Sequence, residues 1–157
     1  MTLRPAPLLA AGLALLAACA PRLLPGTDIR DTPENRAVYE VVRSYQQALE
    51  RRDAPAILAL VAPDYFDNAG TPDPSDDIDR AKLEQTLPAD LAKLEGVRLD
   101  VTVRNIQVQG DNATAEVFYE EYYRVQTAAG PVPRRDSDVH QIHLKKIQGA
   151  WKITSGL

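Results

Sequence analysis

The sequence predicts an α+β domain in which helices come first and an antiparallel meander follows. Three observations carry this expectation. Apolar residues recur at three- and four-residue spacing through Val38, Val41, Val42, Tyr45, Ala48 and Leu49, which is the period of a helix with one buried stripe. From Leu99 onward apolar and polar residues alternate instead, which is the period of a half-buried strand. The alternating stretches are separated by short glycine-bearing turns, QGDN at 109–112 and QGA at 148–150. Helical periodicity gathered in one half and strand periodicity in the other favours segregated layers over repeated βαβ units.

Each element has a local reason. Thr32 followed by Pro33 and Glu34 is an N-cap, a proline at the first helical position and an acid near the positive end of the helix dipole. Asp53 caps a second, short helix carrying Ile57, Leu58, Leu60 and Val61, which stops at Pro63. DYFDNAG, residues 64–70, mixes aromatics with turn formers and reads as a short edge strand or a loop. A third helical region is expected over 78–94, with Pro88 breaking or restarting it and Gly96 ending it. Leu99, Val101 and Val103 then alternate, and Ile106 and Val108 resume after a phase shift at Arg104 and Asn105, which predicts a bulge. A long strand follows over 113–125, then TAAGPVPRR as a loop, a strand over 136–147 and a last strand over 151–155.

The N-terminus carries a separate message. Residues 1–18 have a cationic start at Arg4 and an apolar stretch over 8–16, too short to span a bilayer, so they read as a secretory signal peptide. LAAC, residues 16–19, resembles the lipobox of bacterial lipoproteins and holds the only cysteine of the chain. That resemblance implies cleavage before Cys19 and acylation of its thiol and amino group, so that palmitate-like chains hold the protein in a membrane. Two or three chains make such an anchor effectively permanent. Ala20 after the cysteine implies the outer membrane of the cell envelope, facing the periplasm. Residues 19–32, rich in proline, read as the lipidated N-terminus and a linker, and 33–157 as the domain.

YQQALERRDAPAILALVAPDYFDNAG over 45–70, VQGDNATAEV over 108–117 and LKKIQGAWKI over 144–153 are similar to the entry helices and later hairpins of the NTF2-like superfamily, which includes ketosteroid isomerase and the SnoaL-like cyclases. The resemblance implies a cone of helices packed on a curved antiparallel sheet, with a pocket between them. It also puts Tyr45 where the isomerase holds its oxyanion tyrosine, whereas the base aspartate aligns near Ala69, two residues from Asp67. Homodimerisation through the sheet is a further implication.

Strand parity sorts the remaining polar residues. Ala113, Ala115 and Val117 set an inward phase that continues to Tyr119, Glu121 and Tyr123, and Ile142 and Leu144 bring Asp138 and His140 to the same side. The expected ligand-binding set is therefore Tyr45, Asp67, Tyr119, Glu121, Tyr123, Asp138 and His140. Within it Tyr45, Asp67 and His140 are candidates for catalysis, with Asp67 or His140 as the base and Tyr45 with a neutral acid stabilising an enolate. His140 and His143 fall on opposite faces and make a poor metal pair. Asp73, Asp76, Asp77 and Asp79 precede a helix, fit no calcium-loop spacing and read as caps and turn residues.

The chain has 157 residues, 45% hydrophobic and 25% charged, which suits one domain with one core. A net charge of −4 gives no basic field for nucleic acid, and no cofactor fingerprint, P-loop or nucleophile elbow is present. The functional expectation is an envelope lipoprotein whose NTF2-like domain binds a small apolar ligand or a protein partner without catalysis. The alternative is a SnoaL-like or ketosteroid-isomerase-like enzyme that abstracts a proton next to a carbonyl.

Overall fold

The computed structural model describes residues 21–157, so the expected signal peptide and Cys19 lie outside the described part. Helix α1 spans Pro33–Glu50, α2 Ala54–Leu60 and α3 Arg80–Ala92. Strands are β1 Phe66–Asp67, β2 Ile78–Asp79, β3 Leu94–Gln109, β4 Asn112–Thr127, β5 Gly130–Ile147 and β6 Ala150–Ser155. The expected α+β order is present. The long strands form one antiparallel sheet in the order β3-β4-β5-β6, and β1 with β2 makes a separate two-stranded ribbon.

The helix starts follow the local chemistry. Thr32 Oγ1 accepts the Asn35 N–H at 3.1 Å, Asp53 Oδ1 accepts that of Ala56 at 3.0 Å, and Asp79 Oδ1 accepts that of Lys82 at 2.7 Å. The acidic segment before α3 is used in the same way: Asp73 Oδ1 accepts the Ser75 N–H, and Asp76 accepts the Thr71 hydroxyl. Val38 and Val42 of α1 are buried against the inner face of the sheet, where Val103, Ala115, Val117, Ile142, Leu144 and Ile153 close the core, while Ala48 packs with Ala54, Ile57 and Leu91 of the other helices. The phase shift expected near Arg104 is present as a register shift between Val103 and Asn105. It lets one strand keep Leu99, Val103 and Ile106 all buried despite their mixed spacing.

The structure departs from the sequence expectations in four places. The segment read as a loop, TAAGPVPRR, is a tight hairpin, because Thr127 pairs with Gly130 and the ladder continues without a break. Pro131 and Pro133 are tolerated because β6 pairs only with residues 143–147 of β5, leaving the earlier part of that edge open. Their missing N–H groups point toward this open edge. Helix α3 starts at Arg80, since Ile78 and Asp79 pair with β1. It also runs through Pro88, which removes one backbone bond near the C-terminal end and leaves the helix continuous. Gly96 does not end the helix. It lies within β3 with a φ of 59°, at the register shift between Glu95 and Arg98. Finally, the part of the expected tether from Arg22 to Asp31 is packed on the domain: Leu24 is 1% exposed, and the Tyr39 hydroxyl donates to Pro25 O at 3.2 Å.

Two side chains of α1 fix its position on the sheet. Strand β3 is an edge, so every second residue turns its backbone N–H and C=O away from β4. At Leu99 both groups are covered: Gln46 Nε2 donates to the carbonyl, and Glu50 Oε1 accepts the N–H at 3.0 Å. Gln46 is the buried polar residue of the described core, at 8% exposure, and the Arg43 guanidinium satisfies its other end. This clamp sets the height of Tyr45, one residue before Gln46, over the sheet.

Candidate functional site

Between α1 and the wide end of the sheet the structure leaves a cavity of about 250 Å³. Its apolar surface comes from Val42 and Leu49 of α1, Leu99 and Val101 of β3, and Val117 and Ile142 of the two central strands. Tyr45, Tyr119, Glu121 and His140 add polar groups, and Gly156 with Leu157 closes the side beyond β5. The strand register orders these groups. Glu121 stands opposite Leu99 and Tyr119 opposite Val101, whereas His140 is opposite Val117, so Glu121 and the Gly156–Leu157 segment occupy opposite corners.

Electrostatics favour uncharged hydrogen-bonding groups inside. Burial, with Glu121 and Tyr119 nearby, pushes the Tyr45 hydroxyl up to about 12, although its ring keeps some open surface where it borders the void. Burial first, then the charge of Asp136, raises Glu121 above the ordinary carboxylic range. Asp136 faces Glu121 directly across the β4–β5 ladder, so its charge opposes the ionisation of Glu121. Tyr119 is raised as well, by burial first and then by Asp136, Asp138 and Glu121. The ring of Tyr119 meets that of His140 edge-on at 4.9 Å between centroids.

Four of the residues singled out in the sequence, Tyr45, Tyr119, Glu121 and His140, thus border one void. The other three do not. Asp138 is exposed and reaches back along its own strand, its carboxylate 3.8 Å from His140 Nε2. Tyr123 lies one step further along β4, beyond Glu121 and opposite Arg134, outside the cavity wall. Asp67 borders a neighbouring open groove with Phe66, Val139 and His143, and both its oxygens bond to backbone: Oδ1 accepts the Ala69 N–H at 2.9 Å and Oδ2 the Gly156 N–H at 2.5 Å. His140 and His143 face opposite sides, the latter bonding Thr114 at 3.2 Å on the outer face. Among the described residues no group of three or more metal-ligating side chains converges.

Parity along the strands sufficed to find Tyr119, Glu121 and His140, whereas Tyr45 came from the family resemblance. It missed Gly156 and Leu157, which belong to no periodic element. The one local signal for them was a glycine followed by a large apolar residue directly after a strand.

A ketosteroid isomerase-like protein from Erwinia carotovora atroseptica superposes with a TM-score of 0.66 at 18% identity, over 80% of this chain and 94% of that one. A conserved protein from Planctomyces limnophilus gives 0.67 at 11% identity, over 78% and 92%. A protein of unknown function from Mycobacterium tuberculosis gives 0.59 at 21% identity, over 78% and 73%. At such identities the likeness is one of fold, helices on a curved antiparallel sheet as in the NTF2-like proteins. No curated protein matches by sequence. The model of the SnoaL-like domain, however, matches residues 38–156, from the middle of α1 to the segment that closes the cavity, and on that match the chain belongs to the SnoaL-like family.

Proposed function

We propose that this protein is a lipid-anchored component of the bacterial envelope whose SnoaL-like domain binds, without turning it over, a small and mostly apolar molecule bearing one hydroxyl or carbonyl oxygen. The cavity carries this reading. It joins an apolar floor to the hydroxyls of Tyr45 and Tyr119 and the carboxyl of Glu121, all shifted toward their uncharged forms. A dry cavity of about 150 Å³ accepts benzene. One of about 250 Å³ therefore suits a single substituted ring. The engagement of Asp67 with two backbone N–H groups supports the non-catalytic part, since the carboxylate nearest to a base position is occupied in holding the chain.

Phenol is a direct probe. Titrated into the full chain and followed by amide chemical shifts, it should give saturable changes at Tyr119, Glu121 and His140, weakened about tenfold by Tyr45→Phe or Glu121→Gln, the usual cost of one buried hydrogen bond. Linear, unsaturable shifts in the unmodified protein would falsify the binding reading. A second reading, proton abstraction next to a carbonyl, draws on one observation, the imidazole of His140 at the cavity wall beside Asp138. Deuterium uptake by cyclohexanone in D₂O that depends on His140 would favour it.

The anchor rests on LAAC alone. No helix among the described residues is long and apolar enough to cross a membrane. Cys19→Ala should move the protein from the membrane pellet to the soluble fraction, and unchanged pelleting would count against lipidation. Pairing of two copies through the outer sheet face, where Phe118 stands opposite the exposed Val139, belongs to the same proposal and is checked by sedimentation equilibrium.

A further inference from the structure

Gly156 and Leu157 border both the inner cavity and the open groove lined by Phe66 and Val139, so this segment is the partition between two adjoining spaces. Its position is held from outside the sheet. Asp67 Oδ2 accepts the Gly156 N–H at 2.5 Å, and the hydroxyl of Tyr65, a residue only 2% exposed, lies 3.5 Å from the same oxygen, so a buried tyrosine backs the aspartate that holds Gly156. Gly156 is fitted to this crossing. It has a φ of 93°, and a Cβ there would stand 2.2 Å from the Gln141 carbonyl oxygen, so only glycine lets the chain pass β5 so closely. The side chain of Leu157 then packs against the core and walls the cavity.

We infer that Asp67 is a positioning residue that sets the length of ligand the cavity accepts, by holding Leu157 as the wall opposite Glu121. The inference rests on the binding reading above. A ligand whose oxygen is held at the Tyr45–Glu121 corner extends diagonally across β4 and β5 and meets Leu157. With the wall in place the molecule ends there. With the wall released, the cavity and the groove become one channel, and the Phe66–Val139 surface becomes available to a longer apolar tail.

The 4-alkylphenols from 4-methyl to 4-hexyl test this by calorimetric titration of the full chain. A tail that is still being buried gains about fourfold in affinity per methylene. In the unmodified protein the gain should stop at a short tail. Leu157→Ala and Asp67→Ala should carry the gain on for one to three further carbons. Asp67→Asn, whose single amide oxygen can keep the Gly156 N–H while the exposed Ala69 N–H turns to water, should keep the original limit. If Asp67→Ala does not fold, Leu157→Ala alone decides. The same limit in the unmodified protein and in the variants overturns the inference while leaving the binding reading intact. Absence of binding by every alkylphenol in the unmodified protein overturns both.

Discussion

Tyr119 and His140 meet edge to face, 4.9 Å between centroids with 75° between ring planes, and join the two central strands where the cavity opens. They are diagonal neighbours on the ladder, since Tyr119 pairs with Asp138 and His140 with Val117. Aromatic pairs of this geometry contribute about 0.5–1.5 kcal/mol beyond the area they bury. A double-mutant cycle with Tyr119→Leu and His140→Leu, read by urea unfolding, should give a coupling within that range. Additivity to within about 0.3 kcal/mol would mean that the contact contributes nothing to stability.

Glu121 gives the stability of the fold a pH dependence of unusual sign. Its carboxyl is raised by burial and by Asp136, and Tyr45, Tyr119 and His140 border the same cavity. A carboxyl with a raised folded pKa contributes stability that is fully present below its unfolded pKa and lost as pH rises through the folded value. Glu121→Gln should therefore gain on the unmodified protein as pH rises from about 4 to 8, the unfolded value being about 4.3. Parallel urea midpoints across that range would remove Glu121 from the account.

Tyr45 acts in the same direction at alkaline pH. Its hydroxyl, pushed up to about 12 chiefly by burial, contributes stability that is intact below 10 and lost as pH rises through that higher value. Tyr45→Phe should flatten the fall of the unfolding midpoint over this interval. Tyr65 and Tyr119 are also raised and add to the slope. An unchanged fall in Tyr45→Phe would show that the hydroxyl ionises with water access.

Arg80 closes the end of α2 from a distance. Its Nη1 donates to the carbonyls of Leu58 at 2.9 Å and Val61 at 2.7 Å, and its Nε to Glu84 Oε1 at 2.7 Å, one turn along α3. The Leu58 carbonyl otherwise accepts only the Val61 N–H, at 3.3 Å, and helix ends leave such carbonyls short of partners. Arg80→Met keeps the aliphatic stem and should cost about 2 kcal/mol in urea unfolding, the usual loss for hydrogen bonds to a charged group. Glu84→Gln, which touches only the exposed ion pair, should cost under about 1 kcal/mol. Equal losses in the two variants would place the stabilisation in the ion pair and not in the cap.

Much of the site was legible because a strand alternates. Once Ala115 and Val117 are taken as inward, Tyr119 and Glu121 follow, and Ile142 carries His140 with it. Parity gives a side and not a depth. It therefore put Asp138 and Tyr123 on the correct face without showing that the void ends short of both. Asp67 was singled out by alignment to a family position, whereas its surroundings of Asn68, Ala69 and Gly70 describe a turn, and a turn is what it forms.

What the sequence determined alone is whatever depends on neighbours within a few residues: the helix starts at Thr32 and Asp53, the two periods, the bulge after Val103, and the membership of one inward face. What the tertiary structure decided is whatever depends on contacts distant in the chain. Pro131 and Pro133 lie in a strand because no partner claims their edge there, and Pro88 lies in a helix because α3 loses only one bond to it. Above all, Asp67 and Gly156, 89 residues apart, meet over β5 and set the wall of the cavity. Local propensity cannot encode such a meeting, because the hydrogen bond exists only after both ends have been brought together by packing.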